Sequence, residues 1–282
     1  MEKPALLEEG FDINEDAVGP VFQWLGTAGL RITFGGKVIL IDPYLSRNER
    51  AEPTQNLRPV DMADAEYLFL THGHFDHIAD VPDIVRASEA RVYCSTVAAK
   101  TLEKKGVPPA RITTLTGGEK LELDGFDLSV GTSRHTVFDL KLLLGTLPGV
   151  LREARRVLPE LLGMPGGPVL IFTFDFGGLT ATDMGSMGVT VQQVFDEHLR
   201  FPDILFIPLQ GRTDICQRAA DITATVRPRA VVPHHYDDFY PPVSQMVDIE
   251  PFRLRVKKLV PECCYYKPTI NLEFELGDVL GE

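Results

Sequence analysis

The 282-residue sequence predicts a mixed α/β (α+β) fold, in which strands and helices follow one another in two successive halves. Short apolar runs, which are typical of buried strands, recur in residues 21–135 and again in residues 169–276. In both halves these runs are followed by segments with the periodicity and the capping residues of helices. A chain of this length with 44% hydrophobic residues is able to bury one large core. We therefore expect a single domain that spans residues 1–282.

The first half opens with three short strands, which we predict at residues 21–26, 30–34 and 37–41. The pair Gly35-Gly36 between the last two strands is typical of a β-hairpin, because glycine readily adopts the positive φ angles of tight hairpin turns. The other elements predicted in this half are helices at 79–88 and 96–105 and strands at 91–94, 120–123 and 126–130.

The second half repeats the succession of strand and helix. Its predicted strands cover residues 169–174, 179–182, 203–208, 229–232 and 269–276. Its predicted helices cover residues 191–199, which Thr190 caps, and residues 214–226 and 251–259.

An apolar segment, residues 136–167, lies between the two halves and fits neither of them. We predict an amphipathic helix over roughly 148–162, since charged residues give this stretch a polar side. Gly145 and Pro148 are expected to break the segment, and residues 164–167 are expected to end it. The alternatives for its role are a helix packed on the sheet, a cap that forms one wall of a substrate pocket, and a dimer surface.

The apolar run Tyr67–Leu70 has the signature of a buried strand, and it ends in a cluster of polar side chains. Within six residues the chain carries His72, His74, Asp76 and His77. Imidazole and carboxylate are ligands of zinc, manganese and iron, and four such groups crowded together would repel or stay unsatisfied without a metal. Gly73 permits the tight turn that lets these side chains converge. The cluster therefore predicts a metal site.

The pattern His72-x-His74-x-Asp76-His77 resembles the first metal motif of the metallo-β-lactamase-fold hydrolases. This resemblance implies a four-layer αββα sandwich, in which two sheets lie face to face and helices cover their outer sides. The two halves of the sequence agree with such a fold. The resemblance also implies further metal ligands downstream, each at the end of a strand.

Two downstream positions meet this expectation from the family, and one upstream position matches a supporting residue of the family. His135 follows the strand at 126–130, where the family supplies a third histidine to one metal. Asp183 follows the strand at 179–182, where the family places a carboxylate that bridges two metals. Asp42 stands where the family has an aspartate that supports the ligands by hydrogen bonding without binding the metal.

Two adjacent histidines, His234 and His235, follow the strand at 229–232, where the family places its final ligand. Because side chains alternate along a strand, only one of them is expected to face the metals. The form Pro-x-His-Tyr around His235 resembles the subgroup that contains L-ascorbate-6-phosphate lactonase. This resemblance selects His235 and leaves His234 as the alternative.

Carried over residue by residue, the resemblance assigns His72, His74 and His135 to one metal, Asp76, His77 and His235 to a second, and Asp183 to both as a bridge. It implies two divalent transition-metal ions, with zinc favoured and manganese or iron as alternatives. The implied reaction is hydrolysis of an ester, lactone or phosphodiester bond by a hydroxide held between the metals. Asp76 and Asp183 are the predicted catalytic carboxylates. A non-hydrolytic protein of the same fold with two metals, either redox-active or metal-binding, is the alternative.

The composition restricts the partners and the compartment. A formal net charge of −12 disfavours duplex nucleic acid, which binds Lys/Arg-rich surfaces, and leaves a small-molecule substrate as the expected partner. The acidic start of the chain lacks the features of a signal peptide, and no run of about 18 apolar residues could span a membrane. The four cysteines show no disulfide-framework spacing. We therefore expect a cytoplasmic protein with reduced thiols, which could form a homo-oligomer.

Overall fold

The computed structural model describes residues 19–153, 155 and 164–281, and two seven-stranded sheets form its centre. The first sheet contains β1 (Val21–Gly26), β2 (Gly29–Phe34), β3 (Lys37–Ile41), β4 (Tyr67–Phe69), β5 (Arg91–Ser95), β6 (Ile112–Leu115) and β14 (Glu273–Phe274). The second contains β7 (Lys120–Leu123), β8 (Phe126–Ser133), β9 (Val169–Asp175), β10 (Thr180–Asp183), β11 (Ile204–Pro208), β12 (Ala230–His234) and β13 (Cys264–Tyr265). Their strand orders are β14-β1-β2-β3-β4-β5-β6 and β13-β12-β11-β10-β9-β8-β7.

The first sheet begins with antiparallel hairpins because its turns contain suitable residues. Gly35 and Gly36 connect β2 to β3 with φ angles of 56° and 78°, as a two-residue hairpin turn requires. From β3 to β6 the strands then run parallel.

In the second sheet, β10 to β13 run parallel to one another, and the antiparallel strand β9 separates β8 from β10. The strands β8 and β10 therefore point the same way. Parallel strands end at the same edge of a sheet, so the residues that follow β8, β10 and β12 gather at one edge of the second sheet. In the first sheet, the residues that follow β3 and β4 gather in the same manner.

The helices connect and cover these strands. They are α1 (Phe75–Ile78), α2 (Val81–Ala87), α3 (Thr96–Lys104), α4 (Leu140–Arg152), α5 (Val191–Asp196), α6 (Ile215–Val226), α7 (Glu250–Leu259) and α8 (Leu276–Leu280), with short 3₁₀ helices at Pro59–Met62 and Pro109–Arg111. Ser95 caps α3 as predicted, since its side chain accepts the backbone N–H of Ala98. Among the residues described, no helix has the length and apolar character needed to cross a membrane.

The two sheets pack face to face through aromatic side chains. The ring centroids of Phe22 and Phe206 lie 5.4 Å apart, and those of Phe69 and Phe172 lie 5.5 Å apart. One buried apolar cluster joins residues of both sheets with residues of α6 and α7, and a second lies between the first sheet and α1 to α3. The αββα sandwich predicted from the sequence is confirmed by this arrangement.

The hairpin of β7 and β8 belongs to the second sheet, although the sequence pattern grouped residues 120–130 with the first half. The strand β8 pairs with β9 along its whole length, from Asp127 opposite Asp175 to Ser133 opposite Val169. Pairing between strands that are distant in sequence decides sheet membership, and the local patterns used for prediction do not contain that information.

Several element boundaries were also predicted wrongly. Only Glu273–Phe274 of the predicted strand 269–276 pairs in the first sheet, and α8 begins at Leu276. The short edge strands β6 and β13 were not predicted. The predicted helix 79–88 corresponds to α2, which begins at Val81, and the preceding short helix α1, which ends at Ile78, was not predicted.

The helix α4 begins at Leu140 rather than near residue 148, and it passes through Gly145 and Pro148, so the predicted break is wrong. Asp139 explains the early start, since its carboxylate accepts the backbone N–H of Leu142 at 2.8 Å. Most of the remainder of the predicted helix, residues 154 and 156–162, lies outside the described residues.

Candidate metal centre

The first donor group of the site combines the end of β4 with the end of β8. His72, His74 and His135 each offer a ligand atom, and these atoms lie within 4.8 Å of one another. His135 Nδ1 lies 2.7 Å from the carbonyl oxygen of Thr136, and donation of the Nδ1 proton there leaves Nε2 available for a ligand role. The sequence predicted these three histidines as ligands of one metal, and the fold brings them together.

Gly73 is a glycine for a different reason than the one predicted. Its φ angle is not in the left-handed region that favours glycine. A Cβ at this position would instead meet the carbonyl oxygen of Pro165 at 2.7 Å. The backbone N–H of Gly73 also donates to the carbonyl of Gly166 at 2.7 Å. The returning end of the segment 136–167 therefore packs directly on the histidine motif.

The second donor group contains Asp76, His77 and His235, whose ligand atoms also lie within 4.8 Å of one another. Asp76 Oδ2 is 3.3 Å from His235 Nε2 and 3.8 Å from His77 Nε2. All three residues are buried. The fold thus assembles the three residues that the sequence assigned to a second metal.

Asp42 supports both groups from the end of β3. Its carboxylate accepts the backbone N–H of Thr71 at 2.8 Å and the hydroxyl of Thr71. Asp42 Oδ2 also lies 2.7 Å from His77 Nδ1, so the other ring nitrogen of His77 is turned towards Asp76. This contact matches the orienting role that the resemblance implies for Asp42. The ligand atoms of Asp42, His72 and His77 are themselves close enough to form a third donor group.

Asp183 lies at the same edge of the sandwich as the other candidate ligands. It does not belong to any of the three donor groups found among the described residues. Its Oδ1 accepts the backbone N–H of Gly185 at 2.7 Å, whereas its Oδ2 lies 3.6 Å from His234 Nε2. His234 is fully buried. Neither of its ring nitrogens makes a hydrogen bond of normal geometry within the described chain, and burial lowers the pKa of His234 well below its usual range, with the neighbouring His235 adding to the effect. The bridging role of Asp183 stays a prediction.

The two adjacent histidines do not alternate as a regular strand would require. His234 is the last residue of β12, and His235 follows it with a φ angle of +53°. This left-handed conformation turns the chain, so that His235 meets Asp76 while His234 lies beside Asp183. Of these two histidines, only His235 belongs to a donor group found among the described residues, and the selection of His235 over His234 as the metal ligand stays a prediction.

Burial controls the charge of the first donor group. Burial lowers the pKa of His72 well below its usual range, and it lowers the pKa of His74 to about 4. Burial also lowers the pKa of His135. These imidazoles are therefore predominantly neutral at pH 7, which is the form that binds a metal.

In the acidic residues and His77, neighbouring charges shift the pKa values together with burial. Burial would lower the pKa of His77, but the carboxylates of Asp42 and Asp76 raise this pKa to about 9. Burial raises the pKa of Asp183 to about 8, and the Asp42 carboxylate adds to the effect. Burial would also raise the pKa of Asp76, but His77 and His235 hold it well below its usual range. His77 and Asp183 would have to release protons on binding a metal.

The donor atoms fit divalent transition metals. His72 Nε2 and Asp183 Oδ2 are buried, and neither of them has a hydrogen-bond partner in the described part of the chain. Each such unsatisfied group costs about 1–3 kcal/mol, which coordination of a metal would offset. Imidazole nitrogens together with carboxylate oxygens are suitable ligands for zinc, manganese and iron.

Some residues that position the second donor group were not predicted from the sequence. The carbonyl of Thr27 accepts the backbone N–H of His235 at 2.8 Å. Asp237 accepts the N–H of Thr27 at 2.9 Å and pairs with Arg47 at 2.5 Å, and this ion pair is almost fully buried. These residues lie in loops without periodicity, so only the folded geometry connects them to the site.

The fold and the paired donor groups define a member of a known superfamily. The chain belongs to the β-lactamase superfamily, because the model of the beta-lactamase superfamily domain matches residues 21–235. It is 29% identical over 219 residues to a UPF0173 metal-dependent hydrolase of Roseiflexus castenholzii, covering 77% of this chain and 82% of the relative. It is 28% identical over 243 residues to a UPF0173 metal-dependent hydrolase of Pyrobaculum aerophilum, covering 83% and 91%.

Solved structures share the same fold at lower sequence identity. Igni18, a metallo hydrolase from Ignicoccus hospitalis, superposes with a TM-score of 0.63 at 19% identity, covering 92% of this chain and 99% of that one. An isothiocyanate hydrolase from Delia radicum gut bacteria superposes with a TM-score of 0.62 at 16% identity, covering 90% and 98%. At these identities, the two structures support the fold assignment.

Proposed function

We propose that this protein is a metal-dependent hydrolase with a dinuclear centre. His72, His74 and His135 would hold one ion, Asp76, His77 and His235 would hold the second, and Asp183 would bridge them. The observation that carries the proposal is the presence of two donor groups at one edge of the sandwich, each with its ligand atoms within 4.8 Å of one another. Relatives named metal-dependent hydrolases support the same class of activity.

The residues around the centre have separate tasks in this proposal. Two divalent ions bound there would lower the pKa of a water shared between them and polarise the bond under attack. Asp42 and the carbonyl of Thr136 engage Nδ1 of His77 and of His135, so that each ring presents Nε2 to the centre. Asp76 is held as a carboxylate and would accept and relay a proton during hydrolysis.

The substrate class that we propose is a small molecule with an ester, lactone or phosphodiester bond. Lactones are the first candidates, because the Pro-x-His-Tyr form around His235 resembles the lactonase-like subgroup. Zinc is the first metal to supply, and manganese and iron are compatible with the same nitrogen and oxygen donors.

Elemental analysis of protein purified without chelator tests the metal centre. We expect close to two transition-metal ions per chain, as well as hydrolysis of at least one lactone, phosphodiester or thioester by the metal-loaded protein. A metal content that remains near zero after reconstitution would contradict the proposal.

A pair of variants supplies the control for this experiment. The double variant His72→Ala/His77→Ala removes one nitrogen from each donor group and should bind less than one ion per chain. The variant His198→Ala removes an exposed histidine distant from the motif residues in sequence, and it should keep the metal content and the activity of the unmodified protein.

A further inference from the structure

The helix α4 turns a row of apolar side chains towards solvent. Leu140, Leu144, Leu147 and Leu151 are spaced by four, three and four positions, which places them on one side of the helix. Val137 and Phe138, just before the helix, are exposed as well. The exposed fractions range from 47% for Leu147 to 77% for Val137. We call these six side chains the apolar face, and contiguous exposed patches of this kind usually mark a binding surface.

Contacts at both ends hold the opposite side of α4 on the protein. Asp139 Oδ2 accepts the backbone N–H of Thr213 at 2.6 Å and the Thr213 hydroxyl at 2.9 Å. Near the other end, Gly149 lies directly against the carbonyl of Pro242, and Val150 packs on the cluster beneath the first sheet. A rotation that buried the apolar face would break these contacts. The apolar face is therefore presented outwards by the fold.

Positive charge flanks the apolar face, although the whole chain has a formal net charge of −12. Lys141 and Arg152 are exposed and lie about three turns apart on one flank of α4, and Arg155 is exposed beyond the end of the helix. The acidic residues nearby are engaged, since Glu153 forms an ion pair at 3.5 Å with an exposed arginine and Asp139 binds the neighbouring loop. An apolar face with a basic flank is complementary to an anionic lipid surface.

A second copy of the chain fits the apolar face less well. A stable dimer buries about 800 Å² and some 20–30 residues on each partner, which is more than six side chains along one short helix provide. Pairing two copies through α4 would also bring the basic flanks of both helices into one interface. Like charges in such an interface oppose association.

We propose that α4 is an interfacial membrane-binding helix, which lays the apolar face into an anionic lipid surface and places Lys141 and Arg152 among the headgroups. Phe138 connects this face to the candidate metal centre, because its ring centroid is 5.9 Å from that of His135. Docking would thus bring the metal centre to the lipid surface. Provided that the proposed hydrolase function holds, the substrate class is an amphipathic molecule with an acyl chain, such as a lipid ester or a long-chain lactone.

Sedimentation of the full-length, metal-loaded protein with lipid vesicles tests the docking. We expect binding to vesicles of phosphatidylcholine mixed with phosphatidylglycerol, weaker binding at high salt, and much weaker binding to phosphatidylcholine alone. The variant Lys141→Gln/Arg152→Gln should lower the partition onto mixed vesicles about thirtyfold, since each basic side chain contributes at such a surface. The variant Leu144→Ser/Leu151→Ser should lower it by at least about tenfold.

A matched control keeps the result interpretable. Leu254 on α7 is 54% exposed, and Leu254→Ser should bind vesicles like the unmodified protein. Circular dichroism and metal content should be unchanged in all variants. Absence of binding to mixed vesicles, or binding by both double variants that equals binding by the unmodified protein, would overturn the proposal.

Analytical ultracentrifugation tests the alternative that a second copy of the chain, instead of a membrane, covers the apolar face. One contradicting result is a protein that does not bind vesicles and whose variant Leu144→Ser/Leu151→Ser changes from a dimer to a monomer in analytical ultracentrifugation. In that case the apolar face is an interface between copies of the chain, and the membrane proposal is wrong. Vesicle binding is measured without substrate. A lack of vesicle binding would therefore leave the hydrolase proposal standing. A protein that binds vesicles but hydrolyses no substrate would refute only the hydrolase proposal.

Discussion

His234 and His235 are adjacent in sequence, but they have different surroundings at the scale of single residues. His235 shares a donor group with Asp76 and His77, whereas His234 faces Asp183 across 3.6 Å. A histidine that belongs to no donor group is expected to contribute little to metal content. A direct ligand is expected to contribute more, because its loss opens the coordination shell.

The variants of these two histidines provide a test of the ligand assignment. We expect His235→Ala to lose the second metal and nearly all activity, because it removes one of three donors from its group. His234→Ala should retain most of both, because His234 belongs to none of the donor groups found among the described residues. Metal content and turnover measured side by side distinguish them, and the reverse pattern would identify His234 as the ligand.

The predictability of the site differs from residue to residue. The motif from His72 to His77 was readable because four donor side chains stand close together in sequence, and the distant candidates followed from its resemblance to a family. Thr27 and Asp237 carried no such signal, since they act through a backbone carbonyl and a buried ion pair that exist only in the folded chain.

At the scale of elements, strand interiors were predicted better than edges and connections. Apolar runs such as Val169–Asp175 and Ile204–Pro208 are buried on both faces, so composition alone indicates them. The strand β14 has only two residues and exists because β1 pairs with it. The early start of α4 depends on Asp139, whose carboxylate both caps the helix and binds Thr213 from another part of the chain.

The returning end of the segment 136–167 yields a second prediction, at Gly166. A Cβ at this position would lie 2.5 Å from His74 Nε2, and the φ angle of Gly166 imposes no requirement for glycine. The half-buried ring of His74 would therefore have to move away from His72 and His135. We expect Gly166→Ala to weaken binding of the first metal by about tenfold or more, as measured by competition with a chelating dye.

The control for Gly166→Ala is Gly145→Ala in α4. No atom of the residues that the structure describes lies within 4 Å of a Cβ at Gly145, and alanine favours a helix over glycine by about 1 kcal/mol. This variant should keep both metals and unfold at a slightly higher temperature. Unchanged metal affinity in Gly166→Ala would show that the ring of His74 has room to adjust.

At the scale of the whole molecule, the candidate centre joins the two sheets. Asp42 and His72 follow strands of the first sheet, whereas Asp183 is the last residue of β10 in the second sheet, and His135 and His235 follow β8 and β12 of that sheet. The aromatic core holds the sheets together between their faces, but the polar edge contains buried donor atoms that have no hydrogen-bond partner among the described residues, such as His72 Nε2 and Asp183 Oδ2. A metal at this edge would cross-link the sheets and satisfy those atoms.

Removal of the metal should consequently destabilise the entire fold and not only the loops around the site. A ligand present at a hundred times its Kd stabilises the native state by about 2.7 kcal/mol. In a protein of roughly this size, each kcal/mol shifts the unfolding temperature by about 2–4 °C. We therefore expect a chelator to lower the Tm by about 5–10 °C in differential scanning calorimetry, with recovery when zinc is restored. His72→Ala/His77→Ala should show little further decrease with chelator, whereas His198→Ala should respond like the unmodified protein. A Tm that is insensitive to chelator in the metal-loaded protein would mean that the sheets are held by their aromatic core alone.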